Sequence, residues 1–170
     1  MTDILLAIIA AIAASASLVL LFVNRVPSAL VAFFALWILN QSHYVAFAPG
    51  YILTWLAITL IIIALDMMNA TAGHFSRTVV AYMLTGSIAG MLCGIAINPA
   101  GLIPGSAIGA LLAFLAYTRT PAAAKLQFSS SAFIQYFCAN GFRIVATTSM
   151  VGTLIAAVLA RYNASVALNL

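Results

Sequence analysis

Charge is what this chain has least of. Of its 170 residues only 5% are charged while 66% are hydrophobic, and the mean hydropathy is +1.21. A soluble domain carries about a quarter charged residues to hold its surface in water. Here six cations and two acids, Asp3 and Asp66, must serve the whole chain. That excludes a water-soluble domain of this size, and leaves no length for a second one beside the apolar segments. Metal-ligating residues are equally scarce. Histidine is limited to His43 and His74, and cysteine to Cys93 and Cys138, which lie in apolar runs without CxxC spacing. A metal centre needs several converging ligands, so no metal and no cofactor are expected, and the cysteines read as small buried hydrophobes. No GxSxG nucleophile elbow, Walker loop or Rossmann glycine loop occurs, and an enzyme is not expected. The net charge of +4 comes from single cations between apolar runs. That pattern fits membrane orientation and not nucleic-acid binding.

What the chain has in abundance is apolar runs of membrane length. Polar punctuation divides it into about six, at residues 4–23, 27–39, 51–65, 79–97, 102–118 and 144–160. A bilayer core of about 30 Å takes about 20 residues of helix. The fold class expected is therefore all-α, a polytopic helical membrane protein forming one integral membrane domain over residues 1–170. The first run lacks the positive leader of a signal peptide, with Asp3 in its place, and reads as a retained helix. The second is short and begins at Pro27, so it either spans a thin region or re-enters. Arg143 falls inside the last long run, where a charge at the bilayer centre costs at least ~2.5–3.5 kcal/mol. The cheaper arrangement makes residues 129–142 an interfacial helix and leaves Arg143 at the boundary. Six crossings place Arg25, Arg77, Arg119 and Lys125 on one side, and the positive-inside tendency puts both termini outside the cytoplasm. Trp37, Tyr44, Tyr51, Trp55, Tyr117 and Tyr162 fall near segment ends, as interfacial aromatics do.

Glycine supplies the most specific pattern. Gly86, Gly90 and Gly94 recur every four residues, as do Gly101, Gly105 and Gly109, so six of the ten glycines line two helix faces. In lipid, helices gain little from hydrophobic burial against each other, and close backbone approach is what holds them. Only Asn98-Pro99-Ala100 separates the two faces, which predicts a tight antiparallel hairpin. The same faces could instead bind a second copy or line a path for a small solute. The stretch Gly73-His74-Phe75-Ser76-Arg77, the two glycine series and Asn98 to Gly105 resemble the DUF456 family, and Val26-Pro27-Ser28 is similar to that family's proline turn. The resemblance runs from about Val26 to Thr118. It implies a small bacterial membrane protein with a glycine-zipper hairpin, placed in the inner membrane, and no reaction. The acid this family tends to place after the last zipper glycine is replaced here by Ala110-Leu111-Leu112-Ala113.

Few residues could carry chemistry. Asp66 closes the third run, with His74 and Arg77 downstream, and an acid at a membrane boundary is costly unless paired. Two readings stand: an Asp66–Arg77 ion pair that ties off the loop, or a proton-responsive site of Asp66 and His74. Arg143 shares a helical face with Asn140 and Thr147, and Gln135 lies nearby; it reads as an interface anchor or as a contact for an anionic headgroup. Thr147, Thr148 and Ser149 read as back-bonded or interhelical hydroxyls. The function expected is that of a structural or accessory component assembling through glycine-zipper helices, the alternative being a small transporter or channel for a lipid, ion or small solute. The partners expected are the lipid bilayer and a homo-oligomer or larger membrane complex, with no nucleic acid.

Overall fold

The computed structural model describes residues 2–23, 27–42, 45–68, 77–120 and 130–167. Six α-helices and no strand occur among them: α1 (Thr2–Leu20), α2 (Ser28–Asn40), α3 (Pro49–Met68), α4 (Arg77–Ile97), α5 (Leu102–Thr118) and α6 (Ser130–Ala167). The class expected from composition is the one observed, an all-α chain of apolar helices. Four of them, α1, α3, α4 and the Asn140–Arg161 part of α6, are long and apolar enough to cross a membrane. The remaining two, α2 and α5, have 13 and 17 residues. Fewer helices reach full length than the six segments suggested, because turns cut two of them short.

Those turns have identifiable causes. Pro27 precedes α2 in an extended conformation and fixes its start. At the other end Ser42 returns its hydroxyl to the Leu39 carbonyl at 2.6 Å, and the Asn40 side chain accepts from the Phe47 amide at 2.9 Å. Between α4 and α5, Asn98 caps a single 3-10 turn (Pro99–Gly101) by accepting from the Ala100 amide at 2.9 Å. Pro104 then falls in the first turn of α5, where no intrahelical donor is lost.

The helices alternate in direction around α6. Its membrane-length part is 56% buried, against 17% for α1 and for α3, so α6 is the axis and the others are staves. Its burial has a corollary outside the bundle. Ile4, Leu53, Leu92, Leu112 and Leu159 are all more than half exposed. Side chains of that kind on every flank suit hydrocarbon and not water.

α6 differs from the expectation. It is one continuous helix of 38 residues with no break at Phe142 or Arg143. No proline interrupts it, and Arg143 does not need the interface, because partners reach it inside the bundle. The aromatics differ in how far the bundle covers them. Trp37 is exposed, but Trp55 and Tyr117 are buried at 3% and 2%. Trp55 packs on Ala29, Ala32 and Ala146, whose small side chains admit a large ring.

Candidate functional site

The two glycine faces meet each other. A Cβ built on Gly86 would run into the Gly109 carbonyl, one on Gly90 into the Gly105 carbonyl, and one on Gly94 into the Gly101 carbonyl. Backbone atoms of the opposite arm of the hairpin stand in the way reciprocally at all six glycines, joined at Gly86 by the Ala113 Cβ, so none of the six has room for a side chain. α4 and α5 thus pack backbone to backbone, and Tyr82 and Tyr117 close the open end of the hairpin with ring centroids 5.4 Å apart.

α6 is joined to its neighbours by hydroxyls at successive positions. Thr147 pairs with Ser28 of α2 at 3.3 Å, Thr148 with Ser87 of α4 at 2.6 Å, and Ser149 with Ser106 of α5 at 2.8 Å. One turn further, Thr153 pairs with Tyr51 of α3 at 3.1 Å. Successive residues point about 100° apart around a helix, so consecutive hydroxyls reach different neighbours. Each such bond is worth about 0.6 kcal/mol in a bilayer and at most about 1.7. The three sequence-flagged hydroxyls are interhelical, and Thr148 also back-bonds to the Ile144 carbonyl at 2.7 Å. The sequence reading named none of their partners. Ser28, Ser87 and Ser106 are fully buried, and only their position within apolar runs hinted at it.

Two charged residues meet at one end of the bundle. Arg143 is 3% exposed, and its Nη2 donates to the Leu21 carbonyl at 3.0 Å. That carbonyl follows the last residue of α1, where helix carbonyls lack intrahelical partners and the dipole favours a cation. Leu21, Val79, Val80, Met83, Phe114, Tyr117 and Ile144 form the apolar cluster at this end. Asp66, half-buried near the end of α3, interacts electrostatically with Arg143. The acid is thus coupled across the bundle to α6, and not along the chain to Arg77, which is exposed at the start of α4. His74 lies outside the described residues. Asn140 and Thr147 are buried beside Arg143, as their shared face requires. Among the described residues no group of three metal-ligating side chains occurs.

An apolar groove of about 410 Å³ opens on the flank of the bundle between α3 and α5, with α6 as its floor. Trp55, Ile61 and Leu65 form one wall, Ile103 and Ala107 the other, and Phe142 and Val145 belong to the floor. The lining's only polar side-chain atoms belong to Trp55, through its indole N–H, and to Ser149, whose hydroxyl is held by Ser106. No sequence signal pointed to this groove, since it arises where two staves fail to meet.

The chain matches no family model, no curated protein and no solved structure.

Proposed function

We infer that the protein is a structural or accessory component of a membrane, a six-crossing bundle clamped by its glycine-zipper hairpin. The observation that carries this reading is where its small and polar residues go. The six ladder glycines face one another within the chain, and the α6 hydroxyls of Thr147, Thr148, Ser149 and Thr153 are each bonded to a neighbouring helix. Hydrated ions crossing a bilayer need oxygen or charged ligands along the way. Here those oxygens serve cohesion. With the glycines engaged internally, any second copy or larger complex would meet the outer, lipid-facing surface.

Six crossings are supported by the alternation of the helices. α2 starts level with Thr147 through Ser28 and ends among Ala10, Val151 and Leu154, so it advances along α6 and does not turn back. α5 follows α4 along its glycine face from Gly101 to Gly109. With six crossings Arg25, Arg77, Arg119 and Lys125 lie on the Arg143 side. The positive-inside tendency makes that side cytoplasmic and both termini non-cytoplasmic, in the inner membrane of a bacterium.

Purified protein in liposomes tests the function. Neither proton nor potassium flux above that of empty vesicles is expected. Flux that Asp66→Asn abolishes would replace this reading with a proton-linked transporter. A second reading, lipid handling, is favoured by the apolar groove alone, and protein-dependent scrambling of a fluorescent lipid between leaflets would establish it.

A further inference from the structure

We propose that the groove between α3 and α5 binds one acyl chain of a phospholipid drawn from the leaflet on the Arg143 side. The proposal rests on the reading that this bundle sits within a bilayer. Its argument begins with solvent. At the depth of the spans there is no water, so a lateral groove is filled by hydrocarbon or by another helix.

Size decides between them. The wall from Trp55 to Leu65 runs about 15 Å at about 1.5 Å per residue. A helix with side chains is about 10–12 Å across, so that length of helix occupies on the order of 1,200 Å³. The groove offers about 410 Å³, enough for one extended chain and too little to seat a helix of that length. The length also matches one leaflet, about half of a ~30 Å hydrocarbon core.

Depth and polarity agree with that size. Leu65 and Phe142 line the groove at the end of the bundle where Asp66 and Arg143 lie. Asp66 follows Leu65 directly, half-buried, with Arg143 as its electrostatic partner on the neighbouring helix. A phospholipid presents the same sequence of chemistries, a headgroup with charge of both signs and then an apolar chain. From that mouth inward the lining is aliphatic and aromatic, its one hydroxyl, on Ser149, being already bonded to Ser106. A polar solute would find at most the Trp55 indole N–H there, whereas a chain meets aliphatic and aromatic walls throughout.

Trp55 reports on occupancy. It lines the groove and is 3% exposed, so lipid reaches it through the groove, whereas Trp37 is 44% exposed on α2. These are the two tryptophans of the chain. The experiment uses the full chain in detergent, titrated with phosphatidylcholine brominated in one acyl chain. In Trp37→Phe, emission from Trp55 should fall and saturate at low lipid fraction. In Trp55→Phe, emission from Trp37 should fall gradually without saturating. Ala107→Phe and, separately, Ile103→Phe fill the groove. Each should weaken the saturable quenching at least about fivefold, because packing contacts with the chain are lost. Identical titrations for the two tryptophans would overturn the proposal, and so would saturable quenching untouched in both groove-filling variants. A dimer whose formation shields Trp55 would instead assign the groove to a second copy. Ion flux in liposomes with the quenching intact would remove the accessory-component reading and leave the lipid site standing.

Discussion

Gly90 offers the sharpest perturbation of the hairpin. A Cβ there would overlap the Gly105 carbonyl and lie 2.8 Å from the Gly109 Cα, where ordinary contact begins at 3.4 Å. Both obstacles are backbone, so α4 and α5 must separate by more than half an ångström. A gap of that size forfeits about a quarter of each atom-pair attraction of about 0.1–0.2 kcal/mol, which over about forty pairs amounts to about 1–2 kcal/mol. That agrees with the usual cost of overpacking, about 1–3 kcal/mol. Against it, alanine is a better helix former than glycine by about 1 kcal/mol. Gly90→Ala should therefore be at most about 1 kcal/mol less stable than wild type, while Gly90→Leu should lose the hairpin. Gly50 provides the control, since nothing lies within 4 Å of a Cβ there. Gly50→Ala should be neutral or stabilising. Unfolding of mixed micelles by increasing dodecyl sulfate measures all three. If Gly90→Ala is as stable as Gly50→Ala and Gly90→Leu unfolds at the wild-type midpoint, the backbone seam does not hold the bundle.

Other consequences are checked by the same unfolding assay or by labelling. Arg143→Gln removes the bond to the Leu21 carbonyl and the positive charge that Asp66 senses; it should cost about 1.5–3 kcal/mol, the range for a hydrogen bond from a charged group. Adding Asp66→Asn should recover part of that loss, and strict additivity of the two changes would show that the charges do not interact. Thr148→Val should cost about 0.6–1.7 kcal/mol by removing the bond to Ser87, and an unchanged midpoint would reduce that bond to a neutral contact. Cysteines at Asn98 and at Thr120, in a background lacking Cys93 and Cys138, should be labelled from opposite faces of the membrane. Labelling of both from one face would mean that α5 does not cross.

Much of the hairpin was legible because its signal is local. A four-residue spacing of glycine fixes one face of a helix, and a three-residue connection leaves the two faces little choice but to meet. Which glycine opposes which then follows from the antiparallel direction. The surroundings of Arg143 were not legible, for the opposite reason. Its cost was reckoned for an isolated helix, whereas Leu21 and Asp66, far away in sequence, stabilise it within the bundle. The continuity of α6 follows from the same partners. Trp55 and Tyr117 were legible as residues near segment ends, but not as buried ones, because the alanine-rich cluster around Trp55 and the Tyr82 ring beside Tyr117 come from other helices. The hydroxyl pairs were half legible: the types and positions on α6 could be read, the partners on three other helices could not. The groove could not be read at all, since it depends on α3 and α5 standing apart.

The central claim is that the small and polar residues of this chain bind its own helices to one another. Ser106 and Ser149 test it directly, because their hydroxyl oxygens are 2.8 Å apart and cysteine differs from serine by one atom. With Cys93 and Cys138 replaced, Ser106→Cys with Ser149→Cys should oxidise to an internal disulfide between α5 and α6. The product should run as a monomer, and its fragments should stay joined after cleavage in the connection between those helices. A disulfide-linked dimer, or two thiols that remain free under oxidation, would contradict the account.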